Sequence, residues 1–486
     1  FIIQKYQYMK AKRVVVWLRQ DLRLHDNEAI TNALNRGQEV IPVYVFDERT
    51  FNDKTTYGFR KTEKYRAQFI IDSVKDMRES FQELGIDLVV RVGKPEEIIA
   101  QLCVETQSSW VFCNVERTDE EIKVQDKLEK NLWKSGKEMM YSRGKMLYYT
   151  QDLPFPIAQT PDTFTHFRKE VEKYISIREP LPTPTSFHYW TVRIDTGEIP
   201  SLEDLGYEPI QSENRSVLSF KGGEKTAIER LNYYLWETDL IKNYKETRDG
   251  LIGSDYSSKL SPWLAQGCIS PKYIYHELKK YENERGKNKS TYWLFFELLW
   301  RDFFRLMGKK HKNKIFFKSG TRDFLPEDWK DDMQLFKAWS EGKTGVPFID
   351  ANMKELKETG FMSNRGRQNV ASFLVKDLKI NWQIGAEYFE SLLIDYDVCS
   401  NWLNWAYIAG VGSDPRENRY FNILTQAKRY DPEGAYVKMW LPELSKLPKD
   451  KVHQPDVLSI KEQKAAQLII GTDYPQAIVS TARWVN

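Results

Sequence analysis

The stretch Val14-Val15-Val16-Trp17-Leu18-Arg19-Gln20-Asp21-Leu22-Arg23 begins with an uninterrupted apolar run and passes abruptly into charged residues. A short apolar run rich in β-branched side chains is typical of a strand buried on both faces, as in a parallel sheet. The glycine-rich turn that follows the first strand of a Rossmann dinucleotide-binding domain is missing here. The stretch therefore predicts the first strand of an open α/β domain that does not bind a dinucleotide in the Rossmann manner.

Four further apolar runs repeat this pattern. They predict strands at residues 40–46, 88–92, 110–115 and 139–142. Between the second and third runs, apolar residues at spacings of three and four predict a helix with one buried face that ends at Gly85, namely Ile70, Val74, Met77, Phe81 and Leu84. The alternation of strands and helices predicts that residues 10–143 form a parallel α/β domain with five strands.

Two different patterns follow this domain. Residues 144–215 are rich in proline and lack periodicity, so we expect a long connector that lies over the surface and contains short helices. Beyond Gly222-Gly223, long amphipathic runs such as 224–244 and 290–310 predict helices, and residues 216–486 are predicted to form an all-α domain. The expected fold class is an N-terminal open parallel α/β sheet domain joined by this connector to a C-terminal helical domain.

The bulk composition excludes several classes of protein. The 72 Lys and Arg residues nearly balance the 69 Asp and Glu residues, so the net charge of +3 does not indicate a nucleic-acid partner and any basic site must be local. The cysteines lie far apart without a C-x-x-C pair, which argues against a disulfide framework and against a metal site: Cys103, Cys113, Cys268 and Cys399. A reducing compartment fits this usage.

The chain also lacks the patterns of membrane and secretory proteins. There is no apolar run of about 18 residues, so we expect no membrane segment. The residues before Met9 are too few for a signal or transit peptide, and we expect Met9 to be the natural start. These features predict a cytoplasmic protein, and import directed by a peptide already removed stays open.

Aromatic residues make up 14% of the chain, which suits either an aromatic core or stacking on bases and flavins, and one helix combines them with a carboxylate. The segment 293–305 places Glu297, Trp300 and Arg301 on one helical face. One interpretation is an ion pair between Glu297 and Arg301 on a solvated surface. The other is a carboxylic acid in a pocket that hydrogen-bonds or protonates a substrate carbonyl while Trp300 stacks on a flat ring.

Two further segments could bind phosphate. The turn Ser257–Pro262 presents hydroxyls before a predicted helix, and it either binds an anion or only caps the helix. Between residues 301 and 322, cations outnumber the lone Asp302, which predicts either a local DNA-binding patch or a solvated helix end. These cations are Arg301, Arg305, Lys309, Lys310, Lys312, Lys314, Lys318 and Arg322.

A family resemblance rests on three stretches and the Glu297 segment. They are Trp17-Leu-Arg-Gln-Asp-Leu-Arg-Leu-His25-Asp26-Asn27, Thr359-Gly-Phe-Met-Ser-Asn364-Arg365-Gly-Arg367-Gln368-Asn369 and Asp395-Tyr-Asp397-Val-Cys-Ser-Asn401-Trp402-Leu-Asn404-Trp405. In order and spacing they resemble the photolyases and cryptochromes, from about residue 12 to the neighbourhood of His453. Gln368 and Tyr407 stand where ordinary bacterial photolyases have Met and Trp, which is similar to the cryptochrome-DASH branch.

The resemblance implies that FAD lies folded inside the helical domain. Its phosphates and ribitol would be held by Tyr244, Ser257, Ser258, Leu260 and Ser261, with Arg301 nearby. Arg367 and Asp395 would pair against the isoalloxazine, Asp397 would meet its polar edge and Asn401 would face N5. The chain departs from the family at Lys259, where ordinary photolyases commonly have Arg, which puts that phosphate contact in doubt.

The resemblance also implies an electron relay and a substrate pocket. Trp405 would lie next to the flavin, Trp382 in the middle and Trp329 toward the surface, the alternative being three ordinary core residues. A flipped pyrimidine dimer would enter a pocket over the adenine lined by Glu297, Trp300, Asn364, Arg365 and Tyr407. Glu297 would hydrogen-bond a base carbonyl and stabilise the negative charge there.

The implied function is that of a deoxyribodipyrimidine photo-lyase of the cryptochrome-DASH type. It would use blue light and reduced FAD to repair cyclobutane pyrimidine dimers, preferentially in single-stranded DNA. A blue-light photoreceptor that signals through a partner is the alternative. We expect a monomer that contacts DNA through Arg305, Lys309 and Lys310. A 5,10-methenyltetrahydrofolate antenna would contact Glu116, which could instead be a solvated loop carboxylate.

Overall fold

A single parallel sheet organises the N-terminal part of the chain. The computed structural model describes residues 10–416 and 419–485, so the expectation for Met9 lies outside the described residues. The sheet has the order β3-β2-β1-β4-β5 with every pair parallel, and its strands are β1 Ala11–Leu18, β2 Gly37–Asp47, β3 Val89–Gly93, β4 Trp110–Asn114 and β5 Glu138–Ser142. The predicted five-stranded open parallel sheet is confirmed.

The sheet is covered on both faces, which accounts for the uninterrupted apolar run in β1. Val14, Val16 and Leu18 enter one hydrophobic core, whereas Val15 and Trp17 enter another on the opposite face. The helices of this region are α1 Glu28–Arg36, α2 Glu48–Asn52, α3 Lys64–Glu83, α4 Pro95–Glu105 and α5 Asp119–Trp133. The predicted periodic helix is α3, and Ile70, Val74, Met77 and Phe81 are buried as expected, whereas Leu84 caps the helix and is partly buried.

The connector contains the short helices that its composition predicted. A 3₁₀ turn at Ile157–Gln159 precedes α6 Phe164–Tyr174. Farther along, the carbonyl of Thr196 accepts a hydrogen bond of 2.8 Å from the backbone N–H of Val90, so the connector also covers the edge of β3. The predicted boundaries at residues 143 and 215 stay predictions. No helix in the described part of the chain is long and apolar enough to cross a membrane.

The rest of the described chain is helical. Its α-helices are α7 Glu224–Asn232, α8 Tyr244–Thr247, α9 Ser261–Gln266, α10 Pro271–Arg285, α11 Lys289–His311, α12 Met333–Ser340, α13 Pro347–Thr359, α14 Asn364–Ser372, α15 Trp382–Leu392, α16 Val398–Ala409, α17 Ile423–Tyr430, α18 Ala435–Trp440 and α19 Ile460–Ala466. The periodic run at 224–244 is interrupted, because a π-helical turn at Tyr233–Glu237 follows α7 and Asp239 adopts a left-handed conformation (φ 55°).

Residues 24–26, which follow the apolar run of β1, join the sheet region to the helical region. The Glu224 carboxylate accepts hydrogen bonds from the backbone N–H groups of Leu24 and His25, and it contacts the His25 ring. Asp26 lies 2.8 Å from Lys272 Nζ. Since these groups are buried, pairing them satisfies charges that would otherwise be costly to remove from water. The docking places the end of β4 against α11 and α16.

Candidate functional site

A partly buried ion pair lies at the centre of the predicted cofactor site. Arg367 on α14 makes a bidentate contact with Asp395, with N–O distances of 3.0 and 2.8 Å. The Ser261 hydroxyl at the start of α9 donates to the same carboxylate at 2.6 Å. The Nε–H group of Arg367 donates a hydrogen bond to the carbonyl of Met362. Three residues predicted from distant segments are therefore in direct contact.

Two polar side chains of α16 border this pair. Asp397 caps the helix and accepts from the backbone N–H of Ser400 at 2.8 Å. Burial raises the pKa of Asp397, but Arg305 and Arg301 outweigh that effect and hold the pKa below its usual range. The Asn401 amide donates to the carbonyl of Ala386 at 2.9 Å, which leaves its Oδ1 as an acceptor.

The serine-rich turn is clamped by an arginine that the sequence analysis did not identify. Arg230 on α7 donates to the carbonyls of Ser254, Ser257 and Ser258. Lys259 adopts a left-handed conformation (φ 55°) and is 3% exposed. Burial, followed by the repulsion of Arg230, lowers the pKa of Lys259 to about 6. The amine contacts the Ser257 hydroxyl at 3.4 Å and the Tyr256 ring, and a buried amine of this kind suits a bound anion.

Glu297 does not pair with Arg301, so the interpretation of an intrahelical ion pair is wrong. Its carboxylate pairs instead with Arg248 of the segment after α8, while Arg301 donates to the carbonyls of Lys145 and Leu264. Burial, partly offset by Arg248, raises the pKa of Glu297. The side chain nevertheless keeps 33% of its surface accessible, which is the combination expected of a group that lines a pocket.

Two other predicted pocket residues lie on α14. Asn364 is exposed at the start of α14, and Arg365 binds Asp249 at 2.8 Å. Tyr244, a predicted cofactor residue, contacts Arg248. The Glu297 pocket therefore adjoins the predicted cofactor site through Tyr244.

The back of the pocket is formed by aromatic rings. Trp300 stacks on Phe164 of α6, with ring centroids 3.8 Å apart and planes 7° from parallel, and its edge meets Tyr407 at 6.1 Å. The Tyr407 hydroxyl accepts a hydrogen bond of 2.9 Å from Arg419. The connector thus supplies a ring to the pocket, and one face of Trp300 is already occupied.

Four residues of this site were missed from sequence, namely Arg248, Asp249, Phe164 and Arg419. The adjacent charges Arg248 and Asp249 follow Tyr244 closely, but nothing local shows that they meet side chains from α11 and α14. Phe164 lies in a segment without periodicity. Arg419 lies beside residues 417–418, which are outside the described part of the chain.

One cation of the predicted basic patch is buried, so the predicted DNA contact of Arg305 is corrected. Arg305 is 4% exposed and lies between Asp397 (3.1 Å) and Glu116 (3.6 Å), so it cannot contact DNA as predicted. Lys310 is bound to Asp162 and to the carbonyl of Thr160. Lys309 is half-buried near Arg117. Lys312, Lys314 and Arg322 of the predicted patch are exposed.

Glu116 lies buried at the end of β4, so the interpretation of a solvated loop carboxylate is wrong. It pairs with Lys145 and Arg305 and is 4% exposed. Although burial alone would raise its pKa, Lys145 and the nearby arginines hold the pKa of Glu116 below its usual range. Next to it, Arg117 Nη1 has no hydrogen-bond partner among the described residues.

The three tryptophans of the predicted relay lie in one core. Trp405 follows Asn401 by one turn of α16, and its ring touches Gly385 so closely that a Cβ there would lie 2.3 Å from Cη2. Trp382 lies one turn before Gly385 on α15. Its indole N–H donates to the Lys318 carbonyl, and Lys318 Nζ donates to the Trp329 carbonyl. Trp329 is 3% exposed, so its ring is covered rather than open to solvent as the relay prediction suggested.

Comparison with known proteins identifies the family. The description "DNA photolyase" matches residues 14–185 and "FAD binding domain of DNA photolyase" matches residues 293–485. A Cryptochrome DASH from Gloeobacter violaceus is 50% identical over 471 residues, which are 97% of this chain and 94% of that protein. This chain belongs to the photolyase/cryptochrome family.

The solved structures of the family agree with this assignment. The crystal structure of a Synechocystis sp. PCC6803 cryptochrome has a TM-score of 0.94 and 48% identity, with 98% of both chains covered. An archaeal photolyase from Sulfolobus tokodaii, solved with two FAD molecules, has a TM-score of 0.78 and 28% identity over 98% of both chains. The predicted similarity to the DASH branch is confirmed, and an FAD-binding domain of the photolyase type is present.

Proposed function

We propose that this protein is a photo-lyase that uses blue light and FAD to repair cyclobutane pyrimidine dimers, with a preference for single-stranded DNA. The observation that carries the proposal is the pocket around Glu297. It holds a partly accessible carboxyl group with a raised pKa, and it adjoins the cofactor site through Tyr244 and Arg248.

The side chains present fit FAD. Ser257 and Lys259 offer donors suited to a diphosphate. The Ser261 hydroxyl donates to Asp395, and the Arg367/Asp395 pair offers complementary charges to a polar ring edge. Asn401 keeps a free amide oxygen that accepts a hydrogen bond. When bound and reduced, FAD supplies the light-driven electron.

Glu297 would act on the substrate as a hydrogen-bond donor. A carboxyl group with a raised pKa keeps its proton at higher pH than an exposed glutamate, so it can donate to a base carbonyl on which negative charge develops. Arg248 holds the carboxyl in place, and Trp300 with Tyr407 forms the wall against which a flipped base packs. These residues bind and orient the dimer, and no hydrolytic step is involved.

We also propose a 5,10-methenyltetrahydrofolate antenna beside Glu116. Arg117, Arg143 and Lys309 are neighbouring cations, and Arg117 is buried with an unpaired N–H among the described residues. Such a cluster suits the carboxylates of a folate. Glu116→Gln should lose a near-ultraviolet chromophore while retaining the flavin. Asp119→Asn, at a partly accessible carboxylate that pairs with Lys123, should keep both. Retention of the folate by Glu116→Gln would exclude Glu116 as its anchor.

The alternative function is a blue-light photoreceptor that signals through a partner. Repair is favoured because the Glu297 carboxyl group keeps 33% of its surface accessible and pairs with Arg248, which contacts Tyr244 of the proposed cofactor site. The monomeric state and the cytoplasmic location stay predictions.

The experiment that separates these functions is light-driven repair of a thymine dimer in a single-stranded oligonucleotide, with the flavin reduced beforehand. The wild type should repair the dimer, and Glu297→Gln should repair it far more slowly while binding FAD normally. Glu277→Gln on α10 is the matched control, since Glu277 accepts a hydrogen bond from Trp236 outside the pocket. No repair by the wild type would favour the photoreceptor.

A further inference from the structure

A fourth indole touches the middle of the predicted relay. Trp402 on α16 is 6% exposed, and its ring meets that of Trp382 edge to face, with centroids 5.8 Å apart and planes at 76°. Phe316 packs on it at 5.0 Å. Neither the cofactor site nor the substrate pocket uses this residue. Trp382 therefore has an oxidisable neighbour that lies off the proposed path to Trp329.

The hydrogen bonds of the two indoles differ in kind. The N–H of Trp382 donates to the backbone carbonyl of Lys318 at 3.0 Å. The N–H of Trp402 donates to a carboxylate oxygen of Glu390 at 3.2 Å. An amide carbonyl is far too weak a base to take a proton from an oxidised indole, whereas a carboxylate is an ordinary proton acceptor. Only the Trp402 indole is placed to lose its proton inside the protein through this contact.

The surroundings of Glu390 favour this role. The groups that face it are the Tyr396 hydroxyl, the Trp402 indole, Arg66 and the more distant Glu120. Burial raises the pKa of Glu390 and makes it a stronger base than an exposed glutamate, while the two donors and the Arg66 charge stabilise its carboxylate form. The raised pKa together with the direct hydrogen bond from the Trp402 indole makes Glu390 a suitable proton acceptor.

We propose that Trp402 and Glu390 form a side branch of the relay that traps the oxidising equivalent inside the protein. The oxidant is photo-excited, oxidised flavin, which takes one electron from Trp405, and Trp382 then refills Trp405. An electron next passes from Trp402 to oxidised Trp382. The Nε1–H bond of oxidised Trp402 breaks, and an O–H bond forms on Glu390. One electron and one proton are accounted for, and a neutral indole radical remains beside a neutral carboxylic acid.

The branch rests on the proposed relay and adds a function to it. Charge recombination through Trp402 requires the proton to return from Glu390 first, so the branch prolongs the charge-separated state. Trp402 itself lies within the core around α15 and α16, and Glu390 on α15 is partly accessible. The outer tryptophan and the branch would act in parallel.

The test uses the flavin-containing protein with its flavin oxidised, and it follows tryptophan radicals by transient absorption and by electron paramagnetic resonance of samples frozen under light. Trp329→Phe provides the background, because it removes the proposed outer site. In that background a long-lived neutral tryptophan radical should still form, with slower proton loss in D₂O than in H₂O. Adding Trp402→Phe should lower its yield several-fold.

Glu390→Gln tests the proton acceptor while keeping the shape and an acceptor oxygen for the indole N–H. In the same background the radical should remain a cation, decay several-fold faster and show no isotope effect. Glu387→Gln is the matched control, since Glu387 lies on the same helix and its carboxylate accepts from the backbone of Tyr57. It should behave like the background.

Two results would overturn the branch. One is the loss of all long-lived radicals in Trp329→Phe alone, and the other is an unchanged neutral radical after Trp402→Phe or Glu390→Gln. Failure of the relay itself has a different signature, because Trp382→Phe would then leave the radical yield at the wild-type level. Retention of flavin by each variant establishes that it is folded.

Discussion

Arg305 Nη1 lies 3.1 Å from Asp397 Oδ2, in a contact that links α11 to the cap of α16 in the proposed flavin site. Its second guanidinium nitrogen faces Glu116 at 3.6 Å, so one buried cation balances carboxylates from the sheet region and from the helical region. The pair lowers the pKa of Asp397 against the effect of burial. Arg305 therefore balances charge both between the sheet region and the helical region and at the proposed cofactor site.

Replacing Arg305 by Met should destabilise the protein by about 3–5 kcal/mol, because two carboxylates would remain buried with less compensation. Denaturant unfolding measures this change. The control is Lys310→Ala, whose partner Asp162 is exposed and whose loss should cost less than about 1 kcal/mol. Equal costs for the two variants would show that Arg305 does not carry the charge balance.

The buried amine of Lys259 predicts a pH dependence of FAD binding. Burial and Arg230 lower its pKa to about 6, partly offset by Glu355 and Asp255, and a bound diphosphate should raise it again. Binding then takes up a proton above pH 6, so the affinity for FAD should fall by up to about tenfold per pH unit. Without FAD the sign is opposite: stability rises from pH 6 toward 10.5, since the unfolded chain binds the proton that folded Lys259 has lost.

Reconstitution with FAD at pH 6 to 9, followed by flavin fluorescence, checks this dependence. Lys259→Arg should show a flat profile, because a guanidinium stays charged throughout this range. A flat profile for the wild type as well would place the diphosphate away from Lys259.

Trp405→Phe should strongly slow the reduction of oxidised flavin under blue light, because phenylalanine is much harder to oxidise than tryptophan. Trp339→Phe is the matched control, since Trp339 is also buried and its ring lies 6.2 Å from Trp405 but outside the proposed relay. Absorbance of the flavin under continuous light and an external electron donor measures the rate. Similar rates for wild type and Trp405→Phe would remove Trp405 from the relay.

The fold could be predicted from sequence wherever a pattern was local. The apolar run of β1 and the helical spacing of apolar residues in α3 depend only on which of their own residues are buried. Both elements were predicted correctly. The basic residues of α11 were misjudged because their partners, Asp397, Glu116 and Asp162, come from distant segments. The same reason hid Arg248: only the folded chain brings the segment after α8 against Glu297. Motif order recovered the Arg367/Asp395 contact because both stretches resemble the family's.

We base the proposed preference for single-stranded DNA on two side chains, Tyr407 and Gln368. Tyr407 is held through its hydroxyl by Arg419, and Gln368 accepts a hydrogen bond of 2.9 Å from Arg365. These polar groups stand where ordinary bacterial photolyases carry an apolar and a larger stacking residue, so less apolar surface is available to grip a flipped dimer. Flipping costs a few kcal/mol in duplex DNA and less in a single strand. Binding in the pocket should therefore offset the cost of flipping the dimer out of a single strand but not the larger cost in duplex DNA.

Light-driven loss of a thymine dimer, measured at one salt concentration in matched oligonucleotides, tests this preference. Repair should be efficient in the single strand, poor in the duplex and largely restored by a bubble around the lesion, because unpaired neighbours remove most of the flipping cost. Tyr407→Trp, which adds stacking surface, should improve duplex repair relative to single-strand repair. Backbone contacts by surface cations bind both forms, so they cannot produce this difference. Equal repair of all three substrates by the wild type would reject the single-strand preference and leave the repair function standing.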